Sequence, residues 1–163
     1  MLSRRELLTS SVPVAAALSG CTARLDTAPT VARSLGFRRT ERFLTDQPSL
    51  ASERPTVASV LIADSDADPA VNNWDMLLDS TAEPYRKTEF ADEFLVVHVG
   101  VVDRGQQISV GQPQVQNGQL LYDVSVVPGT VEPPETDESI FSYRVEKWTK
   151  GPVFSPESVR SSL

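Results

Sequence analysis

The chain has 163 residues, a formal net charge of −7 at pH 7 and a single cysteine. This length suits one folded domain with shorter flanking segments, and a single cysteine excludes a disulfide within the chain. An acidic chain has no general electrostatic attraction to nucleic acid or to an anionic membrane surface. We therefore expect no nucleic-acid partner.

Residues 1–20 are predicted to be a twin-arginine signal peptide. Arg4 and Arg5 precede two leucines, and residues 18–21 resemble a lipobox, in which small residues precede a lipid-bearing cysteine. Polar residues and a proline interrupt the stretch before Cys21, so it falls short of the about 20 apolar residues of a membrane-spanning helix. We expect export through Arg4 and Arg5, lipidation at Cys21 and anchoring at the extracytoplasmic face of the cell membrane. The alternative, an amphipathic helix of a cytosolic protein, leaves the lipobox as a coincidence.

The basic residues of the chain are mostly arginines, and only Lys87, Lys147 and Lys150 are lysines. An acidic, lysine-poor chain with a twin-arginine signal resembles the exported proteins of haloarchaea, which implies a halophilic source. A high-GC genome would produce the same preference for arginine.

Residues 21–54 are predicted to be a lipid-anchored basic tether. Its arginines are scattered among acidic residues, which favours a flexible spacer over a basic stripe that touches anionic headgroups. Residues 35–44 could still add a strand to the following domain.

Residues 55–152 are predicted to form a β-rich domain. A β-branched run over residues 57–63 predicts a strand, and apolar residues at helical spacing predict a helix over residues 70–79. Residues 93–102 have apolar side chains on both faces, which indicates a central strand covered on both sides. A last strand is predicted over residues 139–149, after an acidic loop over residues 128–137, and residues 153–163 are expected to be a frayed tail.

Asn117-Gly118 predicts a hairpin between strands over residues 107–115 and 119–127. A two-residue loop alone would place Ile108 and Val110 on the wrong face from Tyr122. A one-residue bulge near residues 111–113 restores the alternation, and Pro113 has no N–H to donate to the sheet.

The predicted fold is all-β or β-rich: a twisted antiparallel sheet, rolled or packed as a sandwich, with one covering helix. The predicted core consists of apolar and aromatic residues from every predicted element: Val60, Ile62, Trp74, Leu78, Phe94, Val96, Val99, Tyr122, Val124, Phe141, Tyr143 and Val145.

The stretch from Trp74 to Trp148 resembles the PrcB-like family, small domains named after a subunit of a surface protease complex. The shared features are a strand, a helix with a tryptophan, the apolar strand Phe94-Leu95-Val96-Val97-His98-Val99-Gly100, a hairpin and the closing segment Phe141-Ser142-Tyr143-Arg144-Val145-Glu146-Lys147. The family carries a Gly-Gly-Tyr-like turn where this chain has Asp103-Arg104-Gly105-Gln106-Gln107. The resemblance implies a β-rich accessory or binding domain without catalytic residues, and the different turn implies a different partner.

Few residues point to chemistry. His98 is the only histidine, and its apolar neighbours favour a buried core position over a general base or a metal ligand. Asp64, Asp66, Asp68 and Asp75 form a weak calcium candidate, because several hard oxygens must converge on the ion. Against calcium, Pro69 replaces the glycine that the loop's sharp turn needs. The preferred alternative is a solvated acidic loop in which Asp68 caps the helix. We expect no cofactor, no bound metal and no catalytic residues.

The favoured hypothesis is a membrane-anchored extracytoplasmic accessory or binding lipoprotein, which is not an enzyme and which serves an envelope protease or another surface complex. Its partners would be the membrane, through the lipid on Cys21, and a protein at the cell surface. Two alternatives stay open: a carboxylate- or calcium-dependent extracellular hydrolase, and a passive envelope component without a specific ligand.

Overall fold

The computed structural model describes residues 28–45, 47–48, 50, 56–64, 73–130, 140–152 and 154–163. The signal peptide, Arg4, Arg5 and Cys21 lie outside these residues. Within the described ranges, no helix is long and apolar enough to cross a membrane.

The first sheet has four antiparallel strands in the order β1-β7-β3-β2. They span Thr30–Arg39 (β1), Thr56–Ile62 (β2), Glu93–Val102 (β3) and Ile140–Thr149 (β7). The predicted central strand is confirmed with the predicted bounds, since β3 lies between β7 and β2 and is buried along almost its whole length. Apolar residues on both of its faces are the physical reason for this position.

The second sheet is built on β6, Gln119–Pro128. On one side β6 pairs with β4 (Gln106–Val110) and β5 (Gln114–Gln116), and on the other side it pairs in parallel with β8 (Ser158–Ser162). The fold is therefore β-rich as predicted, with one α-helix among the described residues, but its second sheet is mixed rather than antiparallel.

The predicted hairpin and its bulge are both confirmed. Asn117 and Gly118 have positive φ angles of 47° and 76°, as a tight two-residue turn requires. Val115 lies opposite Leu120, whereas Val110 lies opposite Val124, so one extra residue is accommodated between β4 and β5. This extra residue places Ile108 and Val110 on the core-facing side of the hairpin together with Val124.

Two hydrophobic clusters cover the two faces of the first sheet. We call the face that carries Leu95, Val97 and Tyr143 the outer face, and the face that carries Phe94, Val96 and Trp148 the inner face, which packs against the second sheet. Gly100 permits a close approach of the two sheets, because a Cβ atom there would lie 2.5 Å from the Ile108 side chain. Every predicted core residue except Leu78 is buried or packs against one of these clusters.

The folded unit begins earlier than residue 55, so the predicted tether boundary is wrong. β1 forms an edge of the first sheet, and the residues that follow it, Phe43 and Leu44, are buried in the outer cluster. Only part of residues 21–54 is therefore free to act as a spacer. The structure instead supports the alternative that this region adds a strand to the domain, and that strand is β1.

The predicted helix over residues 70–79 is wrong for the part that the structure describes. Trp74–Met76 form a single 3₁₀ turn, and the α-helix α1 spans Asp79–Arg86. Leu78 precedes this helix and is 77% exposed, so it is not a core residue. The apolar spacing reflects Trp74 and Leu77 packing on the outer cluster from a non-helical turn.

The predicted frayed tail is also wrong over Ser158–Ser162, which form β8. Val159 packs against the inner cluster, and Leu120 of β6 is its partner in the sheet. One side chain with apolar contact is a weak sequence signal, which explains why the strand was not predicted.

Candidate functional site

A row of residues crosses the inner face of the first sheet from one edge to the other. Gly36 of β1 lies opposite Arg144 of β7, Arg144 lies opposite His98 of β3, and His98 lies opposite Ser59 of β2. Directly paired residues of neighbouring strands point to the same face. The row therefore places polar side chains next to one another beneath the second sheet.

Glu146, in the next row of β7, is the centre of a buried polar network. Its Oε2 atom accepts hydrogen bonds from Tyr122 Oη at 2.9 Å and Trp148 Nε1 at 3.1 Å. Its Oε1 atom accepts one from Arg144 Nε at 3.2 Å. Only 4% of Glu146 is exposed, so these donors replace the water that the carboxylate loses on folding.

The network keeps Glu146 ionised. Burial acts to raise the pKa of this carboxyl group, but His98, Tyr122 and Arg144 outweigh burial, so the pKa lies below its ordinary value of 4.5. Burial and the neighbouring Glu146 carboxylate raise the pKa of the Tyr122 phenol, which therefore stays protonated and able to donate. The site holds a fixed negative charge between a phenol and a guanidinium group.

His98 is fully buried, as the sequence predicted, but it is not surrounded only by apolar groups. Its Nδ1 atom lies 2.6 Å from Ser59 Oγ, and the direction of this hydrogen bond depends on the tautomer. Its Nε2 atom lies 3.9 Å from Glu146 Oε2 and has no hydrogen-bond partner in the described part of the chain. The ring also contacts Tyr122 edge to face.

Ser59, His98 and Glu146 follow the order of a nucleophile, a base and an acid. A base in such a triad must exchange a proton with a substrate atom within hydrogen-bond reach. His98 has 0% exposure, and the 3.9 Å separation from Glu146 exceeds a hydrogen bond. This arrangement is that of a packed polar core.

An open cleft of about 650 Å³ lies beside the network, where β1 and β7 meet the edge of β4. Its lining comes from these strands and from the residues next to them: Gly36, Phe37, Arg38, Arg39, Thr40, Gln107, Ile108, Thr130, Ser142, Tyr143 and Arg144. We call it the arginine cleft, after the three arginines in this set.

The three arginines are held by different acceptors. Arg38 donates to the carbonyl oxygens of Arg104 and Gln106, at 3.3 and 3.4 Å, which ties β1 to the turn after β3. Arg39 donates to the carbonyl oxygens of Arg38 and Met76, at 2.8 and 3.0 Å. Arg144 is the arginine that the buried carboxylate of Glu146 holds. The described lining of the cleft therefore contains three arginines and no carboxylate.

The calcium candidate receives no support from the described residues. Asp75 forms an ion pair with Arg86 at 2.9 Å, and Asp66 and Asp68 lie outside the described part of the chain. Asp64 is exposed after the end of β2. Among the residues that are described, no three histidine, cysteine, aspartate or glutamate side chains are grouped closely enough to hold a metal.

No family model matches this chain, and neither a curated protein nor a solved structure matches it. The resemblance to the PrcB-like family therefore stays a prediction. The turn in which this chain departs from that family, residues 103–107, adjoins the arginine cleft through Arg38 and Gln107.

Of the residues that line the arginine cleft, sequence reasoning linked Gln107 to a partner, as part of the turn 103–107, and weighed Arg38 and Arg39 only as a stripe contacting anionic headgroups. Arg38 and Arg39 were attributed to the tether, and Arg144 and Glu146 look like ordinary charges on a strand. The alternation along β7 contains a usable signal, because Glu146 lies on the same face as Trp148 and must be buried if that face is covered. The partners of Glu146 come from other strands, and no local pattern identifies them.

Proposed function

We propose that this protein is a lipid-anchored, non-catalytic binding protein at the extracytoplasmic face of the membrane, and that the arginine cleft takes up its partner. In this proposal it serves an envelope protease or another surface complex as an accessory component. The signal peptide and Cys21 supply the address, and the folded unit that begins by Thr30 supplies the binding surface.

The arginine cleft is the observation that carries this proposal. It is an open concave site of about 650 Å³ that brings together three arginines from β1 and β7. Concave sites with a few convergent polar groups are the usual binding sites of proteins. The fully buried His98 supports a binding role rather than a catalytic one, since no described histidine reaches the cleft surface.

The experiment is in-cell cross-linking of the tagged full chain, followed by purification from membranes and mass spectrometry. Cys21→Ser should release the protein from the membrane or accumulate its uncleaved precursor. Gly36→Leu should leave the protein attached and folded but remove its cross-linked partner, because position 36 lines the cleft.

Ser34→Leu is the matched control, since Ser34 lies on the same face of β1, two residues away, and outside the cleft lining. A partner retained by Gly36→Leu, or a wild-type protein without any partner, would overturn the binding role. Unchanged membrane attachment without a lipid on Cys21 would overturn the anchor.

A further inference from the structure

We infer that the arginine cleft binds an oxyanion, a carboxylate or phosphate group, through the guanidinium of Arg144, and that Glu146 is the residue that positions Arg144. This inference rests on the proposed function, because it names the ligand class of the same cleft. It adds a recognition residue and the reason for its geometry.

The space beside Arg144 is open on the β1 side. Gly36 lies directly opposite Arg144 and has no side chain to cover it. Among the described residues, a Cβ atom built at Gly36 would meet only the Tyr143 carbonyl oxygen within 4 Å, at 3.8 Å, which is ordinary contact. The glycine therefore leaves a vacant position in the row, next to the guanidinium.

Arg144 keeps donors for a ligand. Its Nε atom donates to Glu146 Oε1, and this is the only hydrogen bond of its side chain within the described part of the chain. Its side chain is 36% exposed and lines the cleft. The two terminal amino groups of a guanidinium match the spacing of two oxygens in a carboxylate or phosphate, so they can bind such a group with two parallel hydrogen bonds.

Glu146 fixes the guanidinium before a ligand arrives. Its carboxylate is itself held by Tyr122 and Trp148 and is almost fully buried. A long arginine side chain on a free surface must be ordered when it binds, and this ordering weakens binding. Because Glu146 already orders the Arg144 side chain in the free protein, ligand binding costs less side-chain entropy.

The surrounding charge favours an anion. Arg39 lines the same cleft and, among the described residues, donates only to carbonyl oxygens, so no described carboxylate neutralises it. The ion pair with Glu146 offsets part of the charge of Arg144, and none of the described residues that line the cleft is acidic. A cleft lined by one sign of charge concentrates ligands of the opposite sign.

The size of the cleft suits a small anion or an acidic side chain of a partner. Its volume of about 650 Å³ lies within the about 300–1,000 Å³ that small-molecule sites occupy.

The test is an NMR titration of the full chain in neutral detergent micelles, with inorganic phosphate and succinate as separate probes. We expect a saturable shift of the Arg144 Nε–H signal with at least one probe, and weaker binding at high salt. Saturation with phosphate alone assigns a phosphate ligand, and saturation with succinate alone assigns a carboxylate. Saturation with both assigns a general oxyanion site.

Three variants and one control, Ser34→Leu, assign the binding to Arg144. Arg144→Lys keeps the charge but removes the planar pair of donors, so affinity should fall about tenfold or more while the thermal unfolding midpoint changes little. Gly36→Leu should abolish binding, and Ser34→Leu should leave it unchanged. Glu146→Gln should weaken binding although it does not line the cleft.

No saturable shift with either probe, or equal affinity in Arg144→Lys, would overturn the inference. The proposed function fails separately. If Gly36→Leu loses its cross-linked partner while Arg144→Lys keeps it, the cleft binds a partner without oxyanion recognition. In that case the binding role stands and the ligand class is wrong.

Discussion

The two faces of the first sheet are built from alternate residues of the same strands, yet they treat polar groups differently. On the outer face, Tyr143 Oη donates to the Gln47 side chain and accepts from the Phe43 N–H, so its partners are neutral. On the inner face, Tyr122 Oη donates to the charged carboxylate of Glu146. The outer face also holds a charged side chain, Lys147, which pairs with Glu93 at 2.7 Å and lies outside the arginine cleft. The buried carboxylate of the inner face, Glu146, instead pairs with an arginine that lines this cleft.

A buried charge is a costly way to stabilise a fold. The desolvation cost of a buried carboxylate is offset only when several donors surround it. A protein in which apolar side chains of similar shape replace the charged group is often as stable. The outer face shows that this chain can fill a sheet face with aromatic side chains, since Phe37, Phe43, Trp74 and Tyr143 contact one another there. The reason for assigning a positioning role to Glu146 is that the arginine it holds lines the cleft.

The largest effect is expected on the outer face, for Phe43→Ala. Phe43 is fully buried and contacts the rings of Phe37, Trp74 and Tyr143. Its truncation leaves a cavity in a packed aromatic cluster and should lower the free energy of unfolding by about 3–5 kcal/mol. Chemical denaturation of the purified full chain measures this change.

Leu78→Ala is the control for Phe43→Ala. Leu78 is a large apolar residue that lies mostly in water, so its truncation should change stability by no more than about 0.5 kcal/mol. A small effect of Phe43→Ala would mean that the segment after β1 is not part of the folded core, and the sequence-based tether boundary would then be restored.

The sequence predicted best those elements whose signal is local and continuous. β3 was recognisable from apolar residues on both faces, and the bulge between β4 and β5 followed from the position of Pro113 and the alternation on β6. β1 was recognised only in part, because most of its residues are exposed at a sheet edge and several are arginines. Its inward signal is limited to alternating apolar residues such as Leu35 and Phe37.

The helix and the candidate site could not be predicted for different physical reasons. α1 buries only Ala82 and Tyr85 and contains Pro84, so it lacks the apolar stripe that marks a helix. The network joins Ser59, His98, Tyr122 and Glu146, which lie on four strands and meet only through sheet register and sheet packing. Their pairing depends on the tertiary fold, which a single sequence does not reveal.

The second-largest loss of stability is expected on the inner face, for Glu146→Gln. Glu146→Gln keeps the shape of the side chain but removes the carboxylate that Tyr122, Trp148 and Arg144 share. Hydrogen bonds to a charged group are the stronger class, so the substitution should cost about 1–3 kcal/mol at neutral pH. Denaturation curves measured at several pH values test this expectation.

The pH dependence has a definite sign. Because the pKa of Glu146 is lowered in the folded protein, its contribution to stability is present above its unfolded pKa of 4.5 and is lost as pH falls through the lower folded value. As pH falls through the range between these two values, the wild-type protein should therefore lose stability more steeply than Glu146→Gln. If the free energy of unfolding of the two proteins fell equally on acidification, the charge of Glu146 would make no contribution to stability.

The smallest effect, and the closest test of the contrast between the faces, compares Tyr122→Phe with Tyr143→Phe. Each substitution removes one buried hydroxyl group and leaves the ring in place, so packing is matched. Tyr122→Phe removes a hydrogen bond to a carboxylate, and Tyr143→Phe removes bonds to an amide oxygen and from a backbone N–H. Each should cost about 1 kcal/mol at neutral pH, less than Glu146→Gln, which disturbs three hydrogen bonds at once.

The two tyrosine variants should differ in how this cost depends on pH. When Glu146 becomes protonated, the Tyr122 hydroxyl donates to a neutral group, so the cost of Tyr122→Phe should shrink on acidification. The Gln47 amide oxygen does not titrate, so the cost of Tyr143→Phe should stay constant over the same range. If the stability cost of the two variants depended on pH in the same way, the distinction between the faces would disappear. The Glu146 carboxylate would then act like a neutral acceptor and would not hold Arg144 through its charge.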